Sequence, residues 1–312
     1  MKRARALLLV ASLLLAVLLL WPEAPPGPTG AWLAAQGLEP RIETVAGARV
    51  RYVRTGAGPS LVLLHGFASS IYSWKDVIPE LARTHDVVAL DLPGFGASDQ
   101  PRDLAWATLP RSVLGLMDAL GIRRAALVGS SLGGAVGVVL ALEHRDRVER
   151  LVLVDSAGYN LASADRPFVV RFAGSGAGRV LERLPLRRLL VRLGLRQVFH
   201  DDRLVSPERV EEYLAPMARP GALAALRSLS ASQRDDLAAS FAARIEDVAV
   251  PTLIVWGRED RWIPLEQGFR FEAAIRDSRL VVLPGCGHMP QEEQPEATML
   301  QIRQFLGRPA GE

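Results

Sequence analysis

The chain is poor in several residues that would otherwise set its chemistry. It has one cysteine, Cys286, in 312 residues, which excludes an internal disulfide. Its five histidines are scattered along the chain. They do not have the spacing of a ligand set, so no metal cluster is supported and no cofactor is expected. Neither charge is in large surplus: 37 basic against 34 acidic residues leave +3. Nearly all the basic residues are arginines, scattered rather than gathered in a tail, so nucleic acid is not indicated as a partner. No internal repeat is visible. The length admits one large domain with an insertion, or two small ones.

One long uncharged run is present, residues 6–21, preceded by Lys2, Arg3 and Arg5. Sixteen residues are long for a signal-peptide core and short for a spanning helix. The Pro-rich stretch that follows offers no clean small-x-small cleavage site. The reading favours an uncleaved signal anchor over residues 1–22, with secretion after cleavage as the alternative. Basic residues before the run and Glu23 after it place the body outside the cytoplasm, on the periplasmic side in a bacterium. Residues 23–40 read as a stiff Pro-rich linker and a short helix, which either rests near the membrane surface or packs on the domain.

Residues 42–45 and 50–53 alternate apolar and polar around Gly47, as an antiparallel hairpin does. Continuous apolar runs follow at 61–64, 87–90 and 125–128, and further strand patterns at 148–154, 252–255 and 280–283. Such runs suit strands buried on both faces of a mainly parallel sheet. Helical spacing separates them at 71–83, 109–120, 132–144, 265–275 and 296–306. Between 159 and 247 no strand pattern appears, only helical patterns cut by Gly and Pro. The expected fold is a doubly wound, mainly parallel eight-stranded α/β sheet with a helical cap inserted after the sixth strand. Residues 41–158 and 248–312 form its core and 159–247 the cap.

The run at 125–128 ends in Gly129-Ser130-Ser131-Leu132-Gly133, and a helical pattern follows. Strand, sharp turn and helix are the context in which a Gly-x-Ser-x-Gly segment presents a nucleophile. The register selects Ser131, because Ser130 would need glycine where Val128 and Leu132 stand. Polar loops also follow Leu64, Val255 and Leu283, and carry His65-Gly66-Phe67, Asp260 and His288. Sites in open α/β sheets gather at such strand ends. An acyl-transfer site needs a nucleophile, a base, an acid that orients the base, and donors for the oxyanion. The order Ser131, Asp260, His288 supplies the first three.

Five segments together carry a resemblance: His65-Gly66, Asp91-Leu-Pro-Gly-Phe-Gly-Ala-Ser98, the turn at 129–133, Gly257-Arg-Glu-Asp260 and Gly287-His288. Over residues 40–308 the chain resembles the α/β-hydrolase superfamily, in its serine-nucleophile branch. The resemblance implies Ser131 as nucleophile, His288 as base and then acid, and Asp260 as its orienting carboxylate. It implies the backbone N–H groups of Phe67 and Leu132 as the oxyanion hole. His65 is then structural, Asp155 is a competing acid at another strand end, and Cys286 is a small packed residue. Asp91 and Ser98 shape their loop. Dehalogenase and epoxide-hydrolase branches look similar but carry aspartate at the elbow, so the serine argues for attack on an ester-like carbonyl.

Residues 161–200 carry eight arginines against Asp165 and Glu182, with leucines interleaved. The favoured reading has the leucines lining an acyl pocket and the arginines solvated. The other has a basic amphipathic helix on anionic lipid. The expected activity is hydrolysis of small-molecule or lipid esters with a hydrophobic acyl group, at a membrane. Two alternatives stand beside it: a carbon–carbon bond hydrolase of dienoic ring-cleavage products using the same triad, and a non-catalytic binding protein on this fold. The complete triad counts against the last.

Overall fold

Alternate residues of each apolar run face opposite sides of one sheet. Leu61 and Leu63 belong to one core layer and Val62 and Leu64 to the other. A segment sandwiched in this way favours apolar residues at successive positions, which is why the central strands read as unbroken hydrophobic runs. The computed structural model describes residues 25–27, 29–159 and 186–307, with only the backbone of 233–240.

The strands are β1 (Arg41–Val45), β2 (Ala48–Thr55), β3 (Ser60–Leu64), β4 (Asp86–Leu90), β5 (Ala125–Ser130), β6 (Val148–Val154), β7 (Thr252–Gly257) and β8 (Ser278–Leu283). They form one eight-stranded sheet in the order β1-β2-β4-β3-β5-β6-β7-β8. β1 pairs with β2, and β2 with β4, antiparallel; the remaining pairs are parallel. Chain order reverses beside β3, which has β4 on one side and β5 on the other. The crevice beyond the carboxyl ends of β3 and β5 is therefore the topological switch point, where such sheets bind ligands.

The first helices are α1 (Ala31–Ala35), α2 (Ile78–Leu81), α3 (Thr108–Ala119) and α4 (Leu132–Glu143). Between β6 and β7 the described insertion holds α5 (Arg187–Val198), α6 (Pro207–Met217) and α7 (Ala222–Ser240). After β7 come α8 (Leu265–Ala274), α9 (Pro290–Glu293) and α10 (Pro295–Leu306). The helix expected over 71–83 is broken. A 3-10 turn, Ile71–Trp74, is capped by Ser70 and followed by α2, which has Pro79 in its first turn. Trp74, Val77, Ile78 and Leu81 are all buried, so the apolar spacing marked the right face without revealing the break.

The membrane-anchored placement expected from the sequence is corrected. Among the described residues no helix is long and apolar enough to cross a membrane, and the run at 6–21 lies outside them. The short helix forms over Ala31–Ala35 as α1, and residues 31–38 pack on the domain. Leu33 and Leu38 join a core layer with Ile71 and Trp74, and Trp32 meets Tyr72 edge to face at 6.0 Å. The residues before it are docked on the cap. Gly27 N–H donates to Glu211 at 2.7 Å, Gly30 N–H to Glu212 at 2.7 Å, and Arg188 Nη2 to Pro25 O at 2.8 Å. Membrane contact through the N-terminal helix is therefore a partner expectation that the described residues do not support. Arg188 also ion-pairs with Glu211 at 2.5 Å, so this cap arginine is engaged within the protein. Leu195 is buried while Leu189 and Leu193 are exposed, and Leu181 and Leu184 lie outside the described residues.

Candidate active site

β5 is buried along its whole length, and the chain turns at Ser131 into α4. Ser131 has φ +50° and ψ −113°, a conformation that costs a side-chain-bearing residue about 1–3 kcal/mol. Backbone hydrogen bonds hold it there. Its N–H donates to Val154 O at 3.0 Å, and its carbonyl accepts from Gly134, Ala135 and Ala157. The flanking glycines are required by space. A Cβ on Gly129 would lie 2.4 Å from the Gly133 carbonyl, and one on Gly133 2.2 Å from Leu64 O. α4 runs beneath the sheet with every residue from Leu132 to Ala141 buried.

The loop after β3 lies over this turn: a Cβ on Gly66 would stand 3.2 Å from Ser131 Cβ. His65 fixes the loop. Leu92 N–H donates to its Nε2 at 3.0 Å, so Nδ1 carries the proton and donates to Gly66 O at 2.7 Å. Burial lowers its pKa, keeping it neutral in that tautomer. The neighbouring Asp91 carboxylate is a loop organiser. It accepts from the Ile71 and Ala97 N–H groups and ion-pairs with Arg51 at 2.6 Å. Among the described residues no backbone acceptor engages the N–H of Phe67 or Leu132; Leu132 opens α4, where a helix has no internal partner to offer.

His288 and Asp260 meet. Nδ1 of the imidazole lies 2.7 Å from Asp260 Oδ2. Asp260 Oδ1 accepts from the N–H groups of Trp262 and Ile263 at 2.7 and 3.0 Å. The carboxylate is thereby aimed by its own loop, and the Trp262 ring stacks on the imidazole at 5.5 Å. The Ser131 hydroxyl and His288 share no hydrogen bond among the described contacts; such contacts often tighten only with substrate bound.

Asp155, the competing acid, ends β6 at φ +43° and does not hold the histidine. Its Oδ1 accepts from Gly257 N–H at 2.8 Å, while its Oδ2 is buried and has no partner among the described residues. Burial, reinforced by the Asp260 charge, pushes its carboxyl well above the ordinary range. Asp155, Asp260 and His288 offer potential metal-ligand atoms within 4.8 Å of one another. Asp260 and His288 already bond each other, and Asp155 favours its protonated form. This is the chemistry of proton handling rather than of a divalent ion.

Several neighbours escaped the sequence reading. Gln291 is buried and donates to Ser130 Oγ at 3.3 Å. Glu292 is buried, ion-paired with Arg209 of α6 at 3.2 Å, and accepts a hydrogen bond from the Tyr213 hydroxyl. Burial pushes its carboxyl up to about 7. Glu293 bridges the histidine loop and the cap. The signal was the acidic pair close behind His288, which reads equally as a solvated helix start. Cys286 is buried and its thiol pKa is raised, chiefly by that burial; it packs beside the histidine loop.

The chain belongs to the α/β-hydrolase-fold family, whose model matches residues 59–295, and it is a hydrolase of that fold. It is similar to the 2-hydroxy-6-oxo-2,4-heptadienoate hydrolase of Pseudomonas putida, at 32% identity over 289 residues, covering 89% of this chain and 96% of that protein. Among solved structures, the meta-cleavage product hydrolase from Pseudomonas fluorescens IP01 is similar at TM-score 0.75 and 29% identity, covering 85% of this chain and 97% of that one. A membrane phospholipase A described as a bacterial virulence factor is similar at TM-score 0.72 and 26% identity, covering 98% of both chains.

Proposed function

We propose that the chain is a serine hydrolase that cleaves a carbon–carbon bond beside the ketone of a dienoic ring-cleavage product. Ser131 is its nucleophile, His288 its base and then acid, and Asp260 the orienting carboxylate. Phe67 and Leu132 N–H groups receive the oxyanion, and the insertion 159–247 serves as a cap. The observation that carries the acid–base assignment is the 2.7 Å bond from His288 to Asp260 beside the strained Ser131 turn. The relative named for 2-hydroxy-6-oxo-2,4-heptadienoate supports the substrate class. That molecule has an enol, a ketone and a carboxylate on an all-carbon chain, with no ester or amide bond, so its hydrolysis must break carbon–carbon.

The steps follow from that chemistry. The 2-enol first passes a proton to carbon 5, so that the bond to carbon 6 can later break with its electrons held as a conjugated enolate. Ser131 Oγ attacks the carbon 6 ketone as His288 Nε2 takes its proton. The two backbone donors stabilise the oxyanion; losing one such donor costs about 3–4 kcal/mol of barrier. Carbon 5–carbon 6 cleavage leaves an acetyl group on Ser131 and expels the enolate, which takes the proton back from His288 and departs as 2-hydroxypenta-2,4-dienoate. Water activated by His288 then releases acetate and restores the serine.

Ester hydrolysis is the second reading, and one observation favours it: the phospholipase likeness spans 98% of both chains. An ester leaves directly as an alkoxide and needs no prior carbon protonation. The test incubates the full chain with 2-hydroxy-6-oxohepta-2,4-dienoate, following loss of its absorbance, beside p-nitrophenyl esters of short to long acyl chains. Dienoate turnover with kcat/KM about 100-fold above the best ester is expected, and its loss in Ser131→Ala. Ester turnover without dienoate turnover would replace the first reading by the second.

A further inference from the structure

The histidine loop is joined to the cap as well as to the core. His288 N–H donates to Val198 O, the last residue of α5, at 2.8 Å. A Cβ on Gly287 would lie 2.4 Å from that same oxygen and 2.7 Å from His200 N, so only glycine lets the two backbones approach this closely. One side chain serves both partners. Glu293 Oε1 accepts from Gly287 N–H. Its Oε2 accepts from His200 N–H at 2.5 Å and Asp201 N–H at 3.1 Å.

We infer that Glu293 is a positioning residue, whose carboxylate clamps cap residues 198–201 to the loop carrying His288 and so sets the imidazole against Ser131. The inference rests on the reading of His288 as the base. A carboxylate suits the place because the three backbone groups it meets are all donors, the Cys286 thiol beside it is another, and both its oxygens accept. A glutamine has one acceptor oxygen. Whichever way its amide turned, an NH2 group would face a backbone N–H, and one side of the clamp would open. Asp260 fixes the imidazole only through Nδ1; the height of the ring over the serine is set by the backbone that Glu293 and Val198 hold. Misplacement of about 1 Å costs up to about 100-fold in rate.

The test is Glu293→Gln in the full chain, with Glu296→Gln, on the exposed start of α10, as control. A fluorophosphonate probe reports Ser131 reactivity whatever the natural substrate is. Oγ bonds to phosphorus, fluoride leaves, and the hydroxyl proton passes to the base. With folded protein measured by circular dichroism, Glu293→Gln is expected to label about tenfold more slowly than the parent. Its loss on substrate should fall in kcat rather than KM, with the control unchanged. A purely structural role would lower Tm and leave the labelling rate of folded protein alone, so labelling within twofold of the parent overturns the inference. If the glutamine variant does not fold, Glu293→Ala, which introduces no misplaced donor, carries the same two outcomes. A parent that itself fails to label removes the serine-hydrolase reading and the positioning role with it, and so is distinguishable from failure of the clamp alone.

Discussion

Asp155 and Asp260 stand just beyond the ends of neighbouring strands β6 and β7, with His288 beside both, and of the two the imidazole bonds Asp260. Their environments explain the division. Asp260 has two backbone N–H donors on its second oxygen, which aim its other oxygen at the imidazole. Asp155 has one donor and a bare buried oxygen, and burial together with the Asp260 charge favours its protonated form.

The two acids should therefore respond differently to amide replacement. Asp260→Asn keeps the shape but presents an NH2 that favours the wrong imidazole tautomer, and kcat is expected to fall by about 10⁴. Asp155→Asn resembles the protonated acid already present and is expected to stay within about threefold. Steady-state kinetics on the better substrate decides. Equal damage from the two variants would sink the assignment of separate roles.

Glu292 should make stability depend on pH. Its carboxyl is pushed up from 4.5 to about 7, mainly by burial. An acid with a raised folded pKa contributes stability that is complete below about pH 4.5 and is lost as pH rises through about 7. Glu292→Gln cannot titrate. Between those values its unfolding free energy should therefore gain on the parent's by up to about 1 kcal/mol per pH unit. Urea unfolding at several pH values measures this, and parallel curves for the two proteins would argue against the raised carboxyl.

The segment at 31–38 should count as part of the folded core. Leu33 is buried with Leu38, Ile71 and Trp74, so Leu33→Ala is expected to cost about 2–5 kcal/mol. A loss below about 0.5 kcal/mol in denaturant unfolding would mean that the segment is not docked in solution.

The legible parts of this chain were those where sterics or burial leaves few choices. Gly129 and Gly133 are forced by contacts of 2.4 and 2.2 Å, so the turn at Ser131 announces itself. The central strands β3, β4 and β5 are buried on both faces, and their apolar runs cannot be confused with surface. The break at Ser70–Trp74 was hidden because a 3-10 turn followed by a short helix buries the same spaced residues as one helix. The pairing of Glu292 with Arg209, 83 positions away, and the clamp at Glu293 depend on how the insertion folds back; local pattern does not encode that. The docking of Pro25 to Leu38 was obscured for a related reason. Proline-rich composition describes a stiff chain but not the carboxylates of Glu211 and Glu212 that receive its N–H groups.

The central claim is that Ser131 is an activated nucleophile. Its most direct test is mass spectrometry of the full chain after exposure to a fluorophosphonate, with peptide mapping, in the parent and in Ser131→Ala. One adduct per chain is expected in the parent, on the peptide containing Ser131, and none in the variant. An unlabelled parent, or an adduct that persists in Ser131→Ala, would contradict the account.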